Sequence, residues 1–340
     1  MGASMIRGVL TLALSIPFVA PFAVADVGSR ALSVANAERS APLGVTLWYP
    51  AGSGGEPVRV GENGVFRGTA VQRDAAIEDG PLPLVMLLHG GFRSAPDSAA
   101  WLAAALAEAG FLVATVAPPP LPPGPATPAA PAEVWRRPAD LSAALSAVLA
   151  DPVGGAAAAR GEVAAVGFFL GGDAVLAAAG ARRDPAAFQG ICEGDAAAGI
   201  DCRWLAAGGV DPRTVDWNAL ERDARDARIA AVVAVEPEFA DSFARASLPA
   251  VGVPVTLLDL GDQDPALARL AEDLATARRI SLPQVSPFAT FGLCKPKGTA
   301  ILREEGGEPV CDDPPGSSRE QIHAEIADVI VTVLRQAFPH

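Results

Sequence analysis

Apolar positions along the chain fall into short continuous runs separated by helix-forming stretches of small residues. Leu82 to Leu88 (Leu-Pro-Leu-Val-Met-Leu-Leu) contains no polar residue and ends at His89-Gly90-Gly91, the pattern of a strand covered on both faces. Trp101 to Ala109 reads as an alanine/leucine helix closed by Gly110, and Phe111 to Val116 as the next buried strand. Beyond these, Asp140 to Ala150 predicts a helix, Val163 to Val166 a short strand and Gly171 to Arg182 a small-residue helix. Ile229 to Val235 and Val255 to Leu260 predict two more strands, and Arg319 to Phe338 an amphipathic closing helix. Leu43 to Tyr49 alternates loosely and stops at Pro50, which predicts an early strand at a sheet edge. Strands alternating with helices predict a parallel, doubly wound α/β sheet.

Two stretches depart from this pattern. Residues 118 to 131 hold eight prolines in fourteen positions, too many for a helix or a ladder, and predict an extended surface loop. Because the same alternation resumes beyond it, the loop is read as lying within one domain, residues 26 to 340. At the start, Arg7 precedes an apolar run from Val9 to Ala20, and Ala23-Val24-Ala25 before Asp26 gives the small-x-small pattern of a signal-peptide cleavage site. Residues 1 to 25 are therefore expected to be removed on export to the periplasm or medium. The run is shorter than the roughly 18 to 20 residues that a membrane span needs.

Composition narrows the chemistry. With 26 basic and 39 acidic side chains and a net charge of -13, the chain has no basic stripe to neutralise phosphates, so neither nucleic acid nor an anionic membrane is an expected partner. Three histidines, and four cysteines without Cys-x-x-Cys spacing, predict no metal site, and nothing implies a cofactor. In an oxidising compartment an even number of cysteines predicts disulfides. Of the three possible pairings, short loops favour Cys192 with Cys202 and Cys294 with Cys311.

The segment Val163-Ala-Ala-Val-Gly167-Phe168-Phe169-Leu170-Gly171-Gly172 reads as strand, tight turn and small-residue helix, the setting of a Gly-x-Ser-x-Gly nucleophile elbow. The turn is too sharp for side chains at the flanking glycines, and its central residue is expected at positive φ. That residue is Phe169, where serine would be expected.

Seven ordered segments resemble the α/β-hydrolase superfamily, in particular the exported bacterial group called predicted dienelactone hydrolases, related to platelet-activating-factor acetylhydrolases. They are Trp48-Tyr49-Pro50, Gly61 to Gly68, Pro83 to Gly91, Arg137 to Ser142, Gly167 to Gly172, Ala179 to Arg182 and Cys294 to Gly298. The resemblance implies a mostly parallel central sheet with helices on both faces, and a serine hydrolase acting on esters or lactones. It assigns Phe169 to the nucleophile position and Asp264, or else Asp262 or Asp259, to the acid. It assigns Pro287 to the place of the general-base histidine, and Leu170, Gly91 and Phe92 to the oxyanion hole. Phenylalanine has no transferable proton and proline no base, so two of the three triad roles are vacant.

Nothing nearby fills them. His89 begins the oxyanion turn, where a structural hydrogen bond is expected, while His323 opens the last helix and His340 ends the chain. Ser94 and Ser98 are the nearest hydroxyls, raised by no elbow, and Asp173 reads as a favourable charge near a helix N-terminus. The expectation is an exported pseudoenzyme that retains a small-molecule site for an ester, lactone or carboxylate, with Phe169 making that site shallower and more apolar. The alternative is an active ester or lactone hydrolase with an unrecognised nucleophile, and a third reading keeps only the fold.

Overall fold

The computed structural model describes residues 27–77, 80–92, 97–121, 124–194, 200–262, 264–305, 307–314 and 316–339. The expected signal peptide, Ser94 and His340 lie outside the described residues.

Ten strands form one sheet. They are β1 (Val27–Val34), β2 (Leu43–Pro50), β3 (Glu56–Val60), β4 (Thr69–Arg73), β5 (Leu82–Leu88), β6 (Leu112–Ala117), β7 (Ala158–Phe168), β8 (Ala231–Val235), β9 (Val255–Leu260) and β10 (Ala277–Leu282). Their spatial order is β10-β9-β8-β7-β5-β6-β2-β1-β4-β3. The six from β10 to β6 are mutually parallel, and β2 joins them antiparallel through β6. Along β5, Leu84, Met86 and Leu88 enter one core with the helices Glu133–Ala150 and Leu170–Ala178, while Val85 and Leu87 enter another with Ala100–Glu108 and Arg319–Ala337. Period-2 alternation of an all-apolar strand thus requires a helical layer on each face.

A third cluster lies over the carboxyl ends of the strands. Phe92, Leu170 and Phe239, from the connections after β5, β7 and β8, meet Phe188, Leu205 and Leu220 from the long segment between β7 and β8. The Cys192–Cys202 disulfide holds that segment, and Cys294–Cys311 ties the stretch after β10 to the approach of the closing helix.

Four expectations need correction. The strand at Leu43 is interior, between β1 and β6, because β1, β3 and β4 continue the sheet beyond it. The proline-rich stretch is not a simple surface loop: Ala126 and Ala130 are buried in the third cluster. The helix expected from Asp140 begins at Glu133 and runs through Pro138. Its polar first turns are buried in a network in which Arg39 bridges Glu133 and Asp140, so the burial there is ionic and invisible to an apolar period. The helix after the elbow spans Leu170–Ala178 and stops short of Arg182, at Gly180 with φ 111°.

Candidate active site

The elbow geometry is present in full. β7 ends at Phe168, Phe169 has φ 55° and ψ -123°, and a helix starts at Leu170. A Cβ on Gly167 would stand 2.1 Å from the Gly171 carbonyl oxygen, and one on Gly171 2.5 Å from the Leu88 oxygen, so backbone would meet backbone. Neighbouring strands hold the turn: Phe169 N–H donates to Val235 O at 3.0 Å and Gly90 N–H to Phe168 O at 3.2 Å. A non-glycine residue in this region costs on the order of 1 to 3 kcal/mol. The Phe169 ring, half-buried, lies edge-on to His89 at 5.7 Å and stacks on Phe291 at 6.0 Å. Such aromatic pairs offset part of that strain.

The three carboxylates considered for the acid role have separate fates. Asp264 caps the helix Pro265–Asp273, accepting from Ala266 N–H at 2.8 Å. Asp259 is fully buried in β9 and paired with Arg279 of β10. Asp262 is exposed. A fourth carboxylate, absent from the sequence reading, follows Val235, whose carbonyl accepts from Phe169 N–H at the elbow. Glu236 follows β8 at the level of Phe169, at φ 47°, and accepts from Leu260 N–H. Burial pushes its pKa up to about 7, with the charges of Asp259 and Asp264 adding to the shift. The signal was Glu236-Pro237-Glu238 directly after a buried strand, two acids where the apolar run breaks.

Pro287 opens a 3-10 turn over Pro287–Thr290, capped by Ser286, and its Cδ lies 3.5 Å from where a Cβ of Gly261 would be. The Pro287 turn and the loop after β9 are therefore neighbours in space. Within this turn Pro287 O accepts from Thr290 Oγ1 and Phe288 O from Phe291 N–H, and the carbonyls that follow are taken from outside it. His323 Nε2 bonds Ala289 O at 2.9 Å and Phe291 O at 3.0 Å, and Trp101 Nε1–H donates to Thr290 O at 2.7 Å. Trp101 and His323 stack at 3.8 Å. His89 is hydrogen-bonded to the Thr290 backbone and packs against Phe168 and Phe291. Burial pushes the His89 pKa down to about 3 and that of His323 down to about 4, so both rings are neutral at pH 7.

The oxyanion residues meet in an acidic setting. Leu170 N–H, at the first helical position, has no carbonyl of a preceding turn to accept it. Arg137 donates to Gly90 O at 3.2 Å and Gly91 O at 2.8 Å, fixing the turn after β5. A Cβ on Gly91 would stand 2.9 Å from Asp201 Oδ2 and 3.3 Å from Glu238 Oε2. Burial and the neighbouring Asp201 raise the Glu238 pKa well above the carboxylate range, and the two side chains share a hydrogen bond. Phe92 is buried beneath Trp204 at 6.0 Å, against Phe239.

No protein-family model and no curated protein matches this sequence. Among solved structures, a ferulic acid esterase from Streptomyces cinnamoneus superposes with a TM-score of 0.61 at 18% identity, covering 94% of this chain and 92% of that one. The chain has an α/β-hydrolase fold. A bacterial heroin esterase aligns with a TM-score of 0.46 at 14% identity, covering 94% of this chain and 87% of that chain.

In this hydrolase fold, Asp173, at the first turn of the elbow helix, is fully buried and held by Arg183 at 3.2 Å and by Phe239 N–H, a structural ion pair. Ser98 and Asp97 line, with His89, one cavity beside the oxyanion turn. The elbow, the acid loop and the Pro287 turn converge, but the side chain at the apex is a phenyl ring. This arrangement can bind and orient a carbonyl group, and Phe169 itself supplies no nucleophile.

Proposed function

We propose that this protein is an exported hydrolase-fold pseudoenzyme that binds a small neutral ester or lactone without hydrolysing it. The observation that carries the reading is Phe169 at the apex of an otherwise complete elbow. Pro287 supports it, and so does the engagement of His89 and His323 with the turn where a base would be needed. A carboxylate ligand is disfavoured because the hydrogen-bonded Asp201–Glu238 pair, which shares one negative charge, flanks the oxyanion turn. The two disulfides are compatible with a periplasmic or extracellular location.

The test is hydrolysis of p-nitrophenyl acetate. Wild type and Phe169→Ser are both expected at background, since the single change supplies a nucleophile without a base. Phe169→Ser with Pro287→His is expected to raise hydrolysis weakly, as a serine with a base but no committed acid. Wild-type hydrolysis well above background, abolished by one named substitution, would sink the proposal.

A second reading rests on Ser98 sharing a cavity with His89 and Asp97. In it Ser98 is the nucleophile of an active ester or lactone hydrolase. Labelling of Ser98 by a fluorophosphonate would establish that reading and exclude the first.

A further inference from the structure

Beside the elbow, two cavities meet at Asp97 and Ser98. One, of about 180 Å³, lies at the ends of β2, β5 and β6 and is lined by Thr46, His89, Thr115 and Arg137 among others. The other, of about 290 Å³, is mostly apolar, with Phe66, Trp101 and Leu293 in its wall. Asp97 borders both, held at φ 63° where the chain enters the helix Ala100–Glu108, with its carbonyl accepting from Ala100 N–H at 3.0 Å. Its side chain is half-buried, and this partial loss of water raises its pKa, with no charge or hydrogen bond from the described residues contributing to the shift. Half-buried and facing both cavities, the carboxylate can accept from hydroxyls of a molecule seated there.

The rest of the polar cavity restricts what that is. Arg137, 3% exposed, spends two nitrogens on Gly90 O and Gly91 O. Its Nε is buried in an ion pair with Glu133 at 3.6 Å. An anion in this cavity meets Asp97 and a cation meets Arg137. A neutral molecule with several hydroxyls can donate to the first without bringing a charge against the second.

We propose that the paired cavities form a binding site for a small neutral polyol or sugar, with adjacent hydroxyls on Asp97 and an apolar ring face or substituent directed along Trp101 and Phe66. Carboxylates that accept from sugar hydroxyls beside an aromatic wall meet both the polar rim and the apolar faces of such a ligand. This site does not depend on whether the elbow turns over esters.

The test is isothermal titration of the mature protein with xylitol, xylose, and methyl and phenyl xylosides, with ethanolamine and acetate as charged probes. Saturable binding of a polyol or xyloside in the millimolar range or tighter is expected. The phenyl xyloside should bind more tightly than the methyl one. Asp97→Asn keeps a residue tolerated at positive φ but removes the charge, and should weaken binding at least tenfold. If circular dichroism shows that variant unfolded, Thr46→Val in the same cavity is used and should weaken binding at least threefold. No saturable binding of any neutral probe, binding undiminished in the folded variant, or preference for ethanolamine or acetate would each overturn the proposal.

Discussion

The turns at Phe169 and Pro287 stand on either side of one stacked aromatic pair, and they are held in different ways. At Phe169 the backbone keeps the shape demanded by Gly167 and Gly171, and only the side chain at the apex differs from a nucleophile. At Pro287 the segment is a capped 3-10 turn whose last two carbonyls accept from His323 and Trp101. The contrast separates two kinds of constraint. A strand-turn-helix in the middle of a sheet is fixed by backbone contacts with both neighbours, so chemistry can be lost there without loss of shape. A peripheral loop has no such template, and its conformation follows whichever side chains reach it.

The comparison can be broken most sharply at the glycines. Gly171→Ala would drive a Cβ to 2.5 Å from the Leu88 oxygen, and is expected to cost about 3 kcal/mol or more of stability by urea denaturation. A loss below about 1 kcal/mol would mean that the elbow is not held by close backbone approach. Next in size, replacing Cys294 and Cys311 together by serine should cost about 3 kcal/mol, since the bridge closes the loop beyond the Pro287 turn. If side chains rather than a template hold that turn, near-ultraviolet circular dichroism from Trp101 should change in this variant while the elbow glycines still tolerate no alanine.

Smaller effects sharpen the picture. At position 169 the usual order should invert, with Phe169→Gly more stable than Phe169→Ala by about 1 to 2 kcal/mol, because only glycine is free of strain at φ 55°. Equal stabilities would show that the apex has relaxed.

The smallest expected effect is in pH dependence. His89 and His323 have pKa values of about 3 and about 4, below the ordinary 6.5. The unfolded chain therefore binds more protons, and their contribution to stability is lost as pH falls below about 6.5. Glu236 opposes this. Its pKa of about 7, above the ordinary 4.5, makes the folded state bind more protons, so its contribution is complete below 4.5 and lost as pH rises through 7. Glu236→Gln should raise the melting temperature more at pH 8 than at pH 5, and make the decline on acidification from 6.5 steeper. A uniform shift across pH would show that Glu236 does not titrate in this range.

Much of the frame was legible. The runs at Leu82 and Val255 became β5 and β9 with the bounds that the apolar pattern gave, because both strands are covered on both faces along their length; in β9 the buried Asp259 is paired with Arg279. β10, with exposed and half-buried positions at the sheet edge, left no such run. β1 and β3 were missed for the same reason: pairing, not apolarity, defines them. The buried helix start at Glu133 was missed because Arg39, 94 residues away, neutralises it.

By itself the sequence determined the strand spacing, the two elbow glycines, and the absence of a hydroxyl at position 169 and an imidazole at position 287, since these depend on residue identity and local backbone demand. Only the tertiary structure decided where the remaining polar groups act. It turned His89 and His323 onto one set of carbonyls, moved Asp264 to a helix cap, and set Glu236 beside the apex. It also left Asp97 between two cavities. Each of those outcomes is set by partners far away in the chain, and the burial that shifts a pKa exists only once those partners have closed around it.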